Sequence, residues 1–246
     1  MPTTPSLTVR RKHDRQSFDP AALEAILDEG MIAHVALVRD RLPVVLPFLY
    51  AVGDLEDGAG RRLLLHGSTG GGLFLDAGTN GLPVSVAVTH IDGLVYARSL
   101  NDSSANYRSA MVFGRATPVP IGLRQKALWI VGDHLMPGRR EEVREISQKE
   151  LAATQVLSLP LDDASVKIRF AGVGEAAEDG EDHGVWAGVL PLSIRADAPI
   201  RSELTETSDP SSAAVDRLIR RLDDLADTRR RALESLLTSR DSSALQ

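Results

Sequence analysis

Between Met31 and Val119 the sequence carries β-type runs with no long helix separating them, and that spacing is the strongest constraint on the fold. Runs at Met31–Val38, Pro43–Tyr50 and Arg61–His66 are followed by the two arms of a hairpin around Asp92-Gly93 and by Ser109–Val119, at least six strands in about the first half of the chain. Parallel neighbours need crossover connections of a dozen or more residues, usually helical. The connections here predict an antiparallel meander or barrel, mainly β with peripheral helices, in place of a doubly wound parallel sheet.

The stretch Val84–Pro118 holds the central hairpin. Asp-Gly is favoured where both residues of a two-residue loop need positive φ, so Ile91 is expected to face Leu94, His90 to pair with Val95 and Thr89 with Tyr96. Side chains alternate along a strand, which puts Val86, Val88, Val95 and Ala97 on a core face. Ser85, Ala87, Thr89, Tyr96 and Arg98 then share a polar face beside Asn106-Tyr107-Arg108-Ser109.

Around these strands, Asp19 as N-cap, Pro20 at the first helical position and Gly30 as stop predict a helix between them. The bend His66-Gly67-Ser68-Thr69-Gly70-Gly71-Gly72 precedes a short helical segment, Leu73–Ala77. A strand running through glycines into a helix start can present backbone amides to a phosphate, although neither P-loop nor dinucleotide-fingerprint spacing is present. Helical spacing is read over Leu123–Leu135 and again over Arg139–Val156, and late strands over Val166–Phe170 and Val185–Ile194. The acidic loop between them, with His183, lacks metal-ligand spacing and reads as solvated. The expected organisation is a polar arm over 1–16, a main domain over 17–200, a linker over 201–212 and an amphipathic helix over 213–246. That helix carries Val215, Leu218, Ile219, Leu222 and Leu225 on one side, and its Arg229-Arg230-Arg231 cluster reads as a solvated face.

With 43% hydrophobic and 25% charged residues in 246, the chain has the composition of a soluble globular protein. It has no cysteine, which excludes disulfides and thiolate metal sites. The net charge of -6 gives no electrostatic ground for a nucleic-acid partner, and neither a secretory leader nor a membrane span is read. A cytoplasmic location is the expectation.

VTHIDGLVYARS followed by NYRSAMVFGRA resembles the flavin-nucleotide-binding, pyridoxamine 5′-phosphate oxidase-like proteins, in the branch related to nitroimidazole-resistance proteins. SFDPAALEAILDEGMIAHVALV, LLLHGSTG, DHLMPGRREEVR, KELAATQVLSLPL and VWAGVLPL extend the resemblance from Ser17 to about Leu192. It implies a six-stranded antiparallel split β-barrel that forms a homodimer with FMN between the subunits. The corresponding cofactor-binding positions are His66, Gly67, Ser68 and Thr69 in the bend, Thr89, Arg98 and Ser99 around the hairpin, and Arg108 and Ser109 after it. His66 is in addition the expected proton donor. His34 and His90, within strands, read as structural, and Trp129 and Trp186 as packing residues.

Two departures stand out. Gly71-Gly72-Leu73 replaces a basic residue usual after the bend, and Asn101-Asp102 replaces a pair of histidines before NYRS. Both remove positive charge from the expected cofactor end, so FMN is expected to bind with reduced affinity or to yield its place to another ligand. The implied function is an FMN-dependent oxidoreductase acting on a small organic molecule, such as a nitro compound, with NAD(P)H as electron donor. The alternatives are a non-catalytic protein that binds or sequesters a flavin or haem, and a pyridoxamine 5′-phosphate oxidase.

Overall fold

Asp19-Pro20 opens the first helix, α1 (Pro20–Glu29), in a computed structural model that describes residues 7–174 and 184–241. The Asp19 carboxylate accepts the Ala21 amide at 3.0 Å, Pro20 has no N–H to orphan, and Gly30 follows the last turn. Ile26 and Leu27 are its buried side, and the Tyr50 hydroxyl donates to the Leu27 carbonyl at 2.7 Å.

The chain divides into two units. The first comprises the residues up to Thr89 together with Ser109–Lys167, and the second comprises His90–Arg108 and the residues from Ile168 onward.

The first unit is built on β1 (Gln16–Ser17), β2 (Ile32–Arg39), β3 (Leu42–Asp54), β4 (Arg61–Ser68), the first part of β5 (Leu82–Tyr96), the second part of β6 (Ser104–Pro118), β7 (Thr154–Pro160) and most of β8 (Ala164–Arg169). They lie in the order β1-β8-β6-β7-β4-β3-β2-β5, and β5 and β6 also pair with each other. The tight hairpin joins β2 to β3, where Asp40 and Arg41 take φ of 50° and 65° and Arg39 faces Leu42. Two consecutive left-handed residues match the twist of the flanking strands. Burial alternates along β2, with Ala33, Val35 and Leu37 inside and Ile32, His34 and Val38 outside. Helix α2 (Gly72–Ala77) follows the bend, α3 (Ile121–Leu135) follows β6, and α4 (Gln148–Ala153) precedes β7. Ala127 and Val131 of α3 pack with Ala51, Leu64 and Val156 of the sheet. At Gly53 a Cβ would lie 2.5 Å from Ile130, so glycine is what lets α3 approach this closely.

Three expectations are corrected. Asp92-Gly93 is not a turn: β5 runs through it without interruption, and the chain reverses over Ala97–Ser103. The pairings counted outward from Asp92-Gly93 therefore do not form, although Val86, Val88 and Val95 are buried as expected. Second, the helical stretch expected to reach Val156 is a 3-10 turn at Arg139–Glu142, a short α4 opened by a Ser147/Glu150 capping box, and then β7. Val156, Leu157, Ser158 and Leu159 are buried in succession where β7 pairs with β4 and β6, as suits a strand covered on both faces. Third, nine strands are present among the described residues in place of six: the two hairpin arms are the single β5, β1 and β7 were not read as strands, and β8 and β9 answer to the late strands expected at Val166–Phe170 and Val185–Ile194.

In the second unit the end of β5 pairs with β9 (Gly188–Pro191), Gly93 opposite Pro191 and Val95 opposite Val189. A Cβ at Gly93 would come within 2.9 Å of the Leu190 carbonyl, so the glycine serves close strand approach. Trp186, expected in packing, is two-thirds exposed and meets Tyr96 edge to face at 5.7 Å. The C-terminal helix α5 (Ala213–Asp241) encloses Ala214, Ala226 and Leu233, while the expected stripe of Val215, Leu218, Ile219, Leu222 and Leu225 is half-buried. Arg195 reaches Asp223 and Asp227 of this helix at 2.8 and 2.5 Å. Residues 175–183, which include most of the acidic loop and His183, lie outside the described residues, as do 1–6 of the polar arm and 242–246 of the C-terminal segment. No described helix is long and apolar enough to cross a membrane.

A buried two-point ion pair in the second unit joins β5 to β6: Arg108 Nε and Nη2 donate to the two carboxylate oxygens of Asp92, each at 2.9 Å. Both side chains are more than nine-tenths buried. Replacing Asp92 by alanine strands a buried guanidinium and is expected to lower the unfolding free energy by about 3–5 kcal/mol in urea titrations. Breaking the exposed Arg230–Glu234 pair of α5 in the same way should leave the midpoint nearly unchanged.

Candidate functional site

The glycine-rich bend starts where β4 ends. His66, Gly67 and Ser68 are paired with Val156, Gln155 and Thr154 of β7, and the Thr69 amide donates to the Ala153 carbonyl at 3.0 Å. The Gly70 amide donates to Ser68 Oγ and the Gly71 amide to the Ser68 carbonyl. The amides of Thr69, Gly70 and Gly71 are therefore all satisfied by the chain itself, and α2 has only six residues. The glycines have a packing role: a Cβ on Gly67 would lie 2.3 Å from the Phe74 ring, and one on Gly72 would lie 2.9 Å from the Arg39 guanidinium. Arg39, held by Asp76, thus places a positive group from β2 where the bend has no basic residue of its own.

His66 faces a different environment. It lines a cavity of about 730 Å³ in the first unit, a volume within the usual range for small-molecule sites. One wall is α3 and its end, with Leu128, Val131, Leu135 and Met136; Leu49 and Thr154 come from the sheet, and Val143, Arg144, Ile146 and Glu150 from the segment leading into α4. The walls are mostly apolar, and the charged pair sits on one side only. Nδ1 of His66 is enclosed without a hydrogen-bond partner. Burial pushes the imidazole pKa below its ordinary value, because the charged form loses hydration. At neutral pH the ring is uncharged, the form that ligates a metal or accepts a proton.

The remaining expected site residues divide between the units. Thr89 is exposed on the first unit's sheet, and the Ser109 hydroxyl donates to the Lys167 carbonyl at 3.3 Å. By register His34 faces Ala87 and Ala36 faces Ser85, so Ser85, Ala87, Thr89, His34 and Ala36 form a platform of mainly small side chains. In the second unit Arg108 is engaged by Asp92, and Ser99 shapes the β5–β6 turn: its hydroxyl donates to Asp102 at 2.6 Å and its carbonyl accepts the Ser103 amide. Asp102, at one of the positions where histidine was expected, is thus a turn-former here. Arg98 lies half-buried in the same turn. Asn106 is fully enclosed and clamps the chain after β8, accepting from Arg169 and the Ala171 amide and donating to the Ala171 carbonyl.

Sequence reasoning missed Asp92 as the partner of Arg108, Arg39 as the cation beside the bend, and Arg144 and Glu150 beside His66. Their partners lie 16 residues away or more in the first two cases, and neither local pattern announces them. Arg144 and Glu150 fall in the stretch Arg139–Val156, which was read only as helical.

Residues 19–168 match the family model described as pyridoxamine 5′-phosphate oxidase. No curated protein matches the sequence. Among solved structures, the FAD and heme binding protein from Mycobacterium smegmatis is 36% identical, with 83% of this chain and 97% of that one covered and a TM-score of 0.75. The flavocytochrome Anf3 from Azotobacter vinelandii is 31% identical over 88% of this chain and 98% of its own, with a TM-score of 0.76. A putative 5-nitroimidazole antibiotic resistance protein from Bacteroides thetaiotaomicron, 19% identical over 62% of this chain and 86% of its own with a TM-score of 0.50, shares the fold. With more than half of its length matched in this way, the chain belongs to the pyridoxamine 5′-phosphate oxidase family.

Proposed function

We propose that this protein is a flavin-binding redox protein that also holds a haem, with the cavity of the first unit as the place that would take it and His66 as the residue that would hold its iron. The observation that carries the reading is His66 itself, a neutral imidazole with an enclosed, unpartnered nitrogen in a mostly apolar wall. Nδ1 is closed off by the protein itself, so a ligand in the cavity would engage the ring through its Nε2 side. The pairing of β4 with β7 fixes the backbone that carries the ring, and α3 gives the cavity an apolar wall. The M. smegmatis protein named for FAD and heme and the flavocytochrome from A. vinelandii support the same pair of cofactors.

For the flavin, the phosphate cradle expected at the bend finds no support, since its amides and Arg108 are already engaged. The platform of Ser85, Ala87, Thr89, His34 and Ala36 is the better fit. Its small side chains let a planar ring approach the sheet, and the hydroxyls of Ser85 and Thr89 offer polar contacts. FMN and FAD share that ring. The six strands β6-β7-β4-β3-β2-β5, whose first and last members pair, support the six-stranded split barrel as the frame of this site. On the same sheet face Val38 and Val45 are 73% and 59% exposed, with Ile32 and Leu49 beside them, an apolar patch suited to a second copy of the chain. A bound flavin supplies hydride and single-electron transfer, and haem iron supplies one-electron chemistry. The activity that follows is a cytoplasmic oxidoreductase passing electrons from a donor such as NAD(P)H to a small acceptor.

Visible absorption and mass spectrometry of the native protein are expected to identify both cofactors, and His66→Ala should remove the haem bands while the flavin bands persist. Loss of neither, or of the flavin bands alone, sinks the assignment. Val45→Asp is expected to shift the sedimentation coefficient from dimer to monomer; an unchanged value removes the second copy from this face. The lowered pKa of His66 sets a third test. In the window between its folded value and the ordinary value of about 6.5, the unfolded chain binds a proton that the folded chain refuses. Its contribution to stability is therefore full above that window and is lost as pH falls through it. His66→Asn should flatten this acid-side fall in melting temperature relative to the wild type.

A further inference from the structure

The cavity of the first unit has one charged margin, and we infer that this margin selects ligands that carry a carboxylate, with Arg144 as the anchor and Glu150 as the built-in stand-in for the ligand's anion. The inference rests on the reading of the cavity as a ligand site. Arg144 Nη1 donates to Glu150 Oε2 at 2.8 Å and Nη2 donates to Oε1 at 2.6 Å, a two-point match that any carboxylate can reproduce. Nη1 also donates to the Glu145 carbonyl at 3.0 Å, which holds the guanidinium at the cavity margin from its own backbone. Both residues line the cavity.

Two features make the exchange of partners cheap. The pair is exposed, 71% for Arg144 and 47% for Glu150, and ion pairs in water contribute little to stability. Glu150, moreover, does not depend on Arg144 for its hydrogen bonds. The Ser147 amide and hydroxyl each donate to Oε2 at 2.8 Å as the capping box of α4, so the carboxylate remains bonded when the guanidinium turns to a ligand. Arg144 first, and then Ser147, hold the Glu150 carboxyl well below the usual carboxylate range, so it is ionised with or without a ligand. The swap moves no proton. A ligand with an apolar planar body and a peripheral carboxylate then satisfies both sides of the cavity, the body against the α3 side chains and the anion at the margin.

The test is a visible-absorption titration of the protein with hemin, which has free propionates, and with its dimethyl ester, which has none. Arg144→Leu is expected to weaken hemin binding roughly tenfold or more, as for loss of a charged hydrogen-bond pair, and to leave the ester unaffected. Glu150→Gln, which keeps the capping geometry but frees the guanidinium, should tighten hemin and again leave the ester unchanged. Equal affinity for the two porphyrins in the wild type and in Arg144→Leu overturns the anchor while sparing the cavity. Failure of both porphyrins to bind, or binding indifferent to His66→Ala, overturns the cavity reading and the anchor with it. Circular dichroism of the variants checks that these surface changes leave the fold intact.

Discussion

Burying a guanidinium and a carboxylate together is expensive, and the second unit is arranged so that the cost is met at one point. Arg108 on β6 and Asp92 on β5 form two parallel hydrogen bonds in a nearly closed environment, and Arg229 of α5 adds its Nε at 3.6 Å from the same carboxylate. One buried anion thus ties two strands and the C-terminal helix. Arg229, read from the sequence as part of a solvated basic face, is instead drawn inward, while Arg230, the next residue, keeps to the surface with Glu234. A buried ion pair is weak ground for net stability, but it is strong ground for register, because a slip by one residue would leave both charges unpaired.

That pair also explains where local reading was sound and where it failed. Helix α1 was legible because its signals are local: Asp19 bonds two residues away, Pro20 suits the first turn and Gly30 stops it. The β2–β3 arms were legible for the same reason. Asp92-Gly93 carries an equally good local signal for a turn, yet the carboxylate has a partner on another strand and the glycine is needed where β9 approaches. Tertiary contacts outweigh turn propensity at such a position. The run from Thr154 to Pro160 failed for a different reason, since a short apolar segment has no period of its own and its neighbours β4 and β6 decide the matter.

The candidate site was half legible. His66 stood out as a histidine at a strand end, but its cavity is made by α3 and by the segment around Arg144, which come to it from 60 or more residues along the chain. The expected phosphate-binding bend was visible as glycines, and glycines serve close packing as readily as they serve ligands. Phe74 over Gly67 is the packing use. The family resemblance drew attention to this region of the chain; the geometry of individual side chains decided which residues in it are engaged by their own neighbours.

Gly72 and Arg39 carry a consequence for how this chain can vary. The guanidinium of Arg39 occupies the space that any side chain at position 72 would need, with 2.9 Å between its Nη2 and the place of a Cβ. The positive charge at this corner is therefore supplied by strand β2 and not by the bend, and a side chain at position 72 would have to turn that guanidinium aside. In this chain two positions more than thirty residues apart thus share one corner of the fold, and the volume of a single guanidinium joins them.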